Sequence, residues 1–303
     1  MTVLKGARSG SEGPPAIKIL AAYLAISSIP AILSWSTTRE SSVVAIAHIV
    51  ALIAVAALVF TGRTGALTDW LALAAIPFLY AELPRIAVGG VHDDVVQRWE
   101  AAVFGTSPVL WASARWPSAL LSESLHAAYL SYYVIIYGPP IVLYVRGQLA
   151  EFRSTVAGLM MMFAICYIVF LVFPVAGPRY DWAPPPTVFD GPVRRIAQRI
   201  LAAGSSRGTA FPSSHVAVAM VQAVLAFRRN IQTSLLLGAL TSCVAIGAVY
   251  GGFHYGVDVV AGAILGMAVG LALLVARREL VAGPFPVGPA TMQTVDESAG
   301  DMK

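Results

Sequence analysis

Eight apolar runs, each close to the length of a membrane-spanning helix, constrain this chain more than any other feature of its sequence. A helix needs about 20 mostly apolar residues to cross the hydrocarbon core of a bilayer. The runs lie at residues 16–35, 42–61, 66–83, 124–145, 154–175, 213–228, 232–251 and 255–276. Hydrophobic residues make up 57% of the 303 positions and charged residues 12%, whereas a soluble domain carries about 25% charged residues. The sequence therefore predicts an all-α membrane protein with about eight transmembrane helices.

The basic residues favour a topology in which the N-terminus is cytoplasmic. Short cytoplasmic loops then carry most of the lysines and arginines, as the positive-inside rule requires. The net charge of +4 is modest and gives no indication of nucleic-acid binding. One outer segment, residues 176–212, breaks the trend because it holds Arg179, Arg194, Arg195, Arg199 and Arg207. We expect an anionic ligand near this group, and we interpret Arg194, Arg195 and Arg199 as contacts to lipid headgroups.

Polar residues from distant parts of the chain converge at the outer ends of the predicted helices. Arg179 follows the fifth apolar run, His215 opens the sixth, and His254 and Asp258 open the eighth. Ionisable residues at such positions are rare in membrane proteins and usually functional. The sequence therefore predicts a site on the extracytoplasmic face.

His254 and Asp258 are four residues apart, which places both side chains on one face of a helix. The carboxylate could hold one ring nitrogen as N–H and leave the other nitrogen free as a nucleophile or base. A helix-opening hydrogen bond or a packed polar pair would give the same spacing. The pair therefore indicates a function only together with the other groups.

The segment from Pro212 to His215 has the residues of a helix start, since Pro suits the first turn and Ser213 suits the N-cap. Free N–H groups at a helix start also bind phosphate. Ser213 could add a hydroxyl donor and His215 could supply a proton. Arg179 and Arg207 are the arginines best placed to bind the oxygens of a phosphoryl group. The alternative for each arginine is an interfacial side chain that reaches into water.

The sequence shows no cofactor or metal motif. No H-E-x-x-H or C-x-x-C pattern occurs. We interpret His48 and His126 as packed or hydrogen-bonded residues within spans. His92 with Asp93 and Asp94 could ligate a cation, but an exposed loop explains these residues more simply. We therefore expect chemistry that is independent of a metal.

Composition along the chain predicts four parts. They are a disordered N-terminus at 1–14, N-terminal transmembrane helices with an outer interfacial segment at 15–123, a catalytic transmembrane core at 124–280 and a disordered tail at 281–303. Two short amphipathic helices are expected on the outer side, from Val95 to Phe104 and from Gly191 to Ala203. Small residues four apart predict close helix packing in the last span, at Gly262, Gly266 and Gly270.

At these motifs the sequence resembles the type 2 phosphatidic acid phosphatase superfamily. The family pattern is K-x6-R-P, then P-S-G-H, then S-R-x5-H-x3-D, around a six-helix core. Here the second motif reads Pro212-Ser213-Ser214-His215 and the third ends in His254-x3-Asp258. The resemblance covers about residues 124–276. It implies a six-helix phosphatase-type core with two extra N-terminal helices.

The first and second motifs depart from the family pattern at three positions. If Arg179 is the arginine of the first motif, Val172 replaces the family's lysine and Tyr180 its proline. Ser214 replaces the glycine of the second motif. These changes leave the order and spacing of the motifs intact.

The third motif lacks an arginine, because its S-R falls on Gly247 and Ala248. Arg207 is the residue that could replace this phosphate ligand. The missing arginine and the segment 100–105 are similar to the branch that contains the fungal inositol phosphorylceramide synthases. Members of that branch transfer a phospho-headgroup between lipids.

The resemblance implies a role for each candidate residue. His254 would attack phosphorus and form a phosphohistidine, Asp258 would orient and charge that imidazole, and His215 would protonate the departing oxygen. The implied set for binding the substrate's phosphoryl group consists of Arg179, Tyr180, Arg207, Ser213 and Ser214.

Three functions are compatible with these residues. The leading hypothesis is a metal-independent phosphatase that cleaves a lipid phosphomonoester or pyrophosphate, with a membrane lipid phosphate as its substrate. The second is a lipid phosphotransferase that passes the phospho-headgroup to a lipid alcohol or an inositol-type acceptor. The third is a lipid-binding or transport protein that has lost catalysis. Transporters often carry inverted repeats, and the sequence shows no long repeat.

Overall fold

The computed structural model describes residues 14–35, 39–63, 65–87, 89–182, 191–204 and 206–281. The predicted disordered termini fall outside these ranges, apart from Pro14 and Val281. Thirteen helices occur within the described ranges. They are α1 Pro15–Leu33, α2 Arg39–Thr61, α3 Ala66–Ile86, α4 Asp93–Phe104, α5 Pro108–Arg115, α6 Ala119–Leu130, α7 Tyr132–Val145, α8 Leu149–Val172, α9 Pro178–Asp181, α10 Pro192–Gly204, α11 Ser214–Phe227, α12 Ile231–Tyr250 and α13 Gly256–Val281.

Seven helical segments in the described ranges are long and apolar enough to cross a membrane, and α6 with α7 counts as one of them. The chain is therefore an all-α integral membrane protein, as the apolar runs predicted. The fourth span begins at Ala119 rather than near 124, because Ser118 caps it by accepting the N–H of Leu121 at 3.3 Å. The same span is interrupted at Ser131, whose Oγ donates to the carbonyl of Ala128.

Helix α11 is the shortest of the predicted spans and lies at the centre of the bundle. Eleven of its 14 residues are buried, and α7, α8, α12 and α13 pack around it. Protein rather than lipid surrounds this helix, so the thickness of the bilayer does not dictate its length.

The predicted glycine stripe brings α13 against α11. A Cβ atom on Gly262 would lie 2.5 Å from the carbonyl oxygen of Ser213, and one on Gly266 would collide with the carbonyl of Ala217. Larger side chains would therefore push the two helices apart. These contacts hold the two helix starts that carry His215 and Asp258 next to each other.

Helices α1 to α3 form an N-terminal group that packs on α8. Arg153 of α8 donates to both carboxylate oxygens of Asp69 in α3, at 2.6 and 3.0 Å. His48 is buried and hydrogen-bonded, as the sequence indicated. Its Nδ1 lies 3.0 Å from Glu82 and its Nε2 lies 2.9 Å from the hydroxyl of Ser27.

Three further helices cover the end of the bundle where the polar motifs lie. Helix α4 packs on α13, α5 on α12 and α10 on α6. The bounds of α4 and α10 agree with the two predicted amphipathic segments to within two residues. On α10, Ile196 and Ile200 are exposed.

Candidate active site

His254 lies in the loop between α12 and α13, and its ring is held by the backbone of another loop. Its Nδ1 is 2.9 Å from the carbonyl oxygen of Ala210 and 3.6 Å from Oδ2 of Asp258. A proton on Nδ1 is therefore donated to Ala210, and Nε2 is left as the nitrogen with a free electron pair. The His254 side chain is almost fully buried.

Asp258 is fully buried in the first turn of α13, and it fixes the loop that carries His254. Its Oδ2 accepts the N–H of Tyr255 at 2.8 Å. Its backbone carbonyl accepts the N–H of Ser213 at 2.9 Å, which joins the starts of α13 and α11. Spacing alone suggested that the carboxylate holds the imidazole directly. The nearest acceptor for the ring is instead the carbonyl of Ala210.

His215 faces His254 from the first turn of α11. The centroids of the two rings are 5.5 Å apart. The His215 ring packs on Tyr132 at 4.1 Å and on Tyr129 at 5.1 Å, and its Nε2 is 3.1 Å from the hydroxyl of Tyr129. One imidazole comes from the first turn of α11 and the other from the loop before α13, and they are near enough for one phosphoryl group and its ester oxygen to contact both.

Both imidazoles line a narrow slot, and Arg179 lines the same slot. Arg179 is partly buried in the short helix α9, and it donates to the hydroxyl of Tyr180 at 2.5 Å. The structure therefore brings His254, His215 and Arg179 together in one wall. A guanidinium in this position can neutralise charge on a phosphoryl group held between the histidines.

Arg207 and Tyr180 lie at the rim of the slot. The Arg207 guanidinium carbon is 5.7 Å from the centre of the Tyr180 ring, and that of Arg179 is 4.6 Å from it. Both Tyr180 and Arg207 are exposed, and neither lines the slot itself. The two arginines thus share one aromatic ring, but only Arg179 lines the slot together with the histidines.

Ser213 and Ser214 are buried and form the start of α11. Ser213 is the N-cap, since its Oγ accepts the N–H of Val216 at 3.5 Å. Neither serine lines the slot. In the structure these two side chains build the helix that carries His215.

A chamber of about 480 Å³ adjoins the slot, and Arg179, Leu201 and Phe253 belong to the walls of both. Arg194 lines the chamber and is only 6% exposed. The interpretation of Arg194 as a lipid-headgroup contact was therefore wrong. The helical periodicity of α10 turns this arginine inward, while Arg195 and Arg199 lie on its exposed surface.

No cluster of three or more His, Cys, Asp or Glu side chains suited to a metal ion occurs among the residues that the structure describes. His126, the other histidine near the site, is buried and its Nδ1 donates to the carbonyl of Ser122 at 2.6 Å. The side-chain donors that line the slot are imidazoles, a guanidinium, and hydroxyls of tyrosine, serine and threonine.

A comparison with protein-family models matches residues 96–273, more than half of the chain, to the PAP2 superfamily. The chain belongs to this superfamily. The matched region contains His215, His254, Asp258 and Arg179, and it leaves out α1 to α3. No curated protein and no solved structure matched the chain.

Membership of the PAP2 superfamily shows the general class of chemistry. Its members are phosphoesterases or phosphotransferases that act on phosphorylated small molecules or lipids. The six-helix type of core predicted from the motifs agrees with the all-helical membrane architecture.

Two acidic residues that support this PAP2 site were not identified from the sequence. Asp93 was interpreted as part of an exposed loop, but it is buried and its carboxylate accepts the N–H groups of Ala176 and Gly177, both at 2.8 Å. The backbone of these two residues leads directly into Arg179. The only sequence signal was the position of Asp93 at the start of an amphipathic helix.

Glu100 supports the other half of the PAP2 site. It is 2% exposed and accepts the N–H of Val257, next to Asp258, at 3.0 Å. Burial raises the pKa of the Glu100 carboxyl, while its hydrogen bonds from the start of α13 act in the opposite direction. Glu100 therefore anchors the start of the helix that carries Asp258.

Proposed function

We propose that this protein is a membrane lipid phosphatase that cleaves a phosphomonoester or pyrophosphate through a phosphohistidine on His254. The observation that carries the proposal is the distance of 5.5 Å between the rings of His254 and His215 in a slot that Arg179 also lines. PAP2 membership supports the same class of reaction.

In the first step, Nε2 of His254 attacks phosphorus and the bond from phosphorus to the lipid oxygen breaks. His215 gives a proton to the departing oxygen, so the lipid leaves as an alcohol or, from a pyrophosphate, as a monophosphate. Arg179 neutralises the negative charge on the oxygens that stay on phosphorus. The Nδ1–H of His254 keeps its bond to Ala210 throughout.

In the second step, water attacks the phosphohistidine and the bond from phosphorus to nitrogen breaks. His215 now accepts the proton of the attacking water, the reverse of its first role. Inorganic phosphate leaves and both imidazoles return to their starting protonation. The chain's own residues thus account for every proton, and the mechanism uses no metal ion.

The test is a panel of lipid phosphates and diphosphates with purified protein in detergent, in the presence of a chelator. We expect release of free phosphate by the wild type and its loss in His254→Ala. His92→Ala is the matched control, because it removes an imidazole that stacks on Phe173 outside the slot. Activity that survives in His254→Ala would refute the phosphohistidine. Inactivity on the whole panel would favour the third hypothesis, a non-catalytic lipid-binding protein.

A lipid phosphotransferase is the second candidate, and the chamber of about 480 Å³ beside the slot favours it. Ligand pockets commonly measure about 300–1,000 Å³, so this chamber has room for a headgroup or an acceptor. An acceptor hydroxyl would replace water in the second step. The same assay, extended to a phosphodiester lipid as donor and a lipid alcohol or an inositol-type acceptor, separates the two reactions. From such a donor the phosphohistidine keeps the headgroup, so transfer yields a new phosphodiester, whereas hydrolysis of the panel lipids releases free phosphate.

We propose that the site faces the extracytoplasmic side, on the basis of the basic cytoplasmic loops. Intact cells that express the protein should then hydrolyse a water-soluble phosphate substrate that cannot cross the membrane. Activity that appears only after the cells are permeabilised would place the site on the cytoplasmic side.

A further inference from the structure

The charged side chains that line the chamber beside the slot are all positive. Among its lining residues in the described ranges, Arg179 and Arg194 are permanently cationic, and no aspartate or glutamate occurs. A cleft lined by charge of one sign concentrates ligands of the opposite sign. The chamber is therefore suited to an anionic group.

Arg194 is held in this wall by the way in which α10 begins. The carboxylate of Glu123, on α6, accepts the N–H of Val193 at 2.8 Å and the N–H of Arg194 at 3.1 Å. A Cβ atom on Gly191 would collide with that carboxylate, so a larger residue at this position would displace the Glu123 side chain. The first turn of α10 is thus fastened to a membrane helix, which places the backbone of Arg194 beside the chamber.

The slot and the chamber meet at Arg179, which lines both. Arg194 lines the chamber but not the slot, and the reacting histidines line the slot but not the chamber. An anion beside Arg194 would therefore lie in the chamber, which adjoins the slot at Arg179. One substrate molecule with two anionic groups could occupy both spaces.

We infer that Arg194 binds a second phosphoryl group of the substrate while the first one reacts in the slot. This inference rests on the proposed function, and it narrows the substrate class to lipids with two phosphoryl groups. The second group belongs either to a diphosphate or to a phosphorylated headgroup. A guanidinium binds phosphate through two parallel N–H donors, which a lysine cannot reproduce.

The experiment compares two matched pairs of substrates in detergent. One pair is a prenyl monophosphate and the corresponding diphosphate, and the other is phosphatidic acid and phosphatidylglycerol phosphate, so every lipid carries a cleavable phosphomonoester or pyrophosphate. For wild type, Arg194→Gln, Arg194→Lys and Arg199→Gln, kcat/KM is measured on all four lipids. Arg199 is the matched control, since it lies on the exposed side of the same helix and does not line the chamber.

We expect Arg194→Gln to lower kcat/KM for the doubly phosphorylated member of one pair at least about 10-fold more than for its partner. Arg194→Lys should recover part of that loss, and Arg199→Gln should match the wild type. The pair that responds identifies the source of the second phosphoryl group. Equal losses on both members of each pair, or no loss in either pair, would overturn the inference.

Failure of the inference differs from failure of the proposed function. If the wild type hydrolyses the lipids and His254→Ala does not, the proposed function stands whatever Arg194 does. If Arg194→Gln cannot be purified folded, Arg194→Lys and the wild type remain. Methylenebisphosphonate, which cannot be hydrolysed, should then inhibit the wild type more strongly than Arg194→Lys, and equal inhibition would count against the inference.

Discussion

Asp93 and Glu100 lie on one face of α4, and their carboxylates accept N–H groups from two different loops of the candidate site. Asp93 accepts from Ala176 and Gly177, and Glu100 accepts from Val257. A separation of seven residues is close to two helical turns, so both carboxylates point to the same side. Helix α4 thus connects the loop before Arg179 with the start of α13.

The first prediction concerns Asp93 as a positioning residue for Arg179. Asp93→Ala removes the acceptor of two N–H groups and of the Tyr255 hydroxyl. It should lower kcat/KM about 10-fold or more, since a buried N–H without a partner costs about 1–3 kcal/mol. Asp94→Ala is the matched control. Asp94 is the next residue, it is exposed, and it pairs with Arg98 at 2.9 Å.

A double-mutant cycle with Arg179→Gln distinguishes positioning from a general loss of stability. If Asp93 acts through Arg179, the two losses should overlap, and the double variant should be little worse than Arg179→Gln alone. Fully additive losses would contradict this role.

The second prediction concerns the pH dependence of stability at Glu100. Burial raises the pKa of Glu100, so the folded protein holds this proton more tightly than the unfolded chain does. The free energy of unfolding should therefore fall as the pH rises from the usual carboxyl range through the raised pKa. Melting temperatures in detergent at a series of pH values measure this slope.

Glu100→Gln should flatten that part of the pH profile. Its amide can still accept the N–H of Val257 through oxygen and donate to the hydroxyl of Ser107, which now contacts the carboxylate at 3.5 Å. Glu100→Ala should lower the melting temperature at every pH, because the N–H of Val257 loses its acceptor. An unchanged slope in Glu100→Gln would assign the pH dependence to another group.

The elements of this fold with a strong apolar or amphipathic pattern could be predicted from the sequence. The spans and the outer helices α4 and α10 appear close to their predicted positions, since both kinds of periodicity depend on many residues at once. The convergence of His215, His254 and Arg179 also followed from topology. Helix ends on one side of a membrane must lie at a similar depth.

What the sequence missed depends on single contacts. The carbonyl of Ala210 orients His254, and a backbone acceptor leaves no trace in residue type. Arg194 and Arg199 look alike in sequence, yet only Arg194 turns inward. Asp93 was interpreted as a loop residue. Its burial could not be foreseen, because the N–H groups that it binds lie more than 80 residues away in the sequence. Ser213 was predicted both as the N-cap and as a phosphate ligand; the structure confirms the N-cap, and the side chain does not line the slot.

The third prediction separates the roles of Asp258 and Ala210 at His254. Nδ1 of His254 is nearer to the carbonyl of Ala210 than to Asp258, so Asp258→Asn should leave the ring in place. The loss of negative charge should then lower kcat about 10- to 100-fold, the equivalent of a charged hydrogen bond worth about 1.5–3 kcal/mol. His254→Ala should abolish turnover. If Asp258→Asn is as inactive as His254→Ala, the carboxylate, rather than Ala210, orients the ring.

The last prediction concerns proton transfer by His215. His215→Ala should slow cleavage of a lipid phosphate, whose alcohol is a poor leaving group, about 10²–10⁴-fold. It should slow cleavage of an aryl phosphate with an acidic phenol far less, because a good leaving group departs without a proton. Equal slowing of both substrates would contradict the role of general acid.

Tyr129 should share this dependence on the leaving group to a smaller degree, because its hydroxyl lies 3.1 Å from Nε2 of His215. Tyr129→Phe keeps the aromatic contact with the imidazole and removes only that hydrogen bond. Tyr133→Phe is the matched control, since Tyr133 is on the same span, is 45% exposed and contacts Tyr132 instead of His215. A several-fold loss confined to the poor leaving group in Tyr129→Phe would show that the hydroxyl acts through His215. Loss of both substrates alike would instead indicate that Tyr129 only packs the slot.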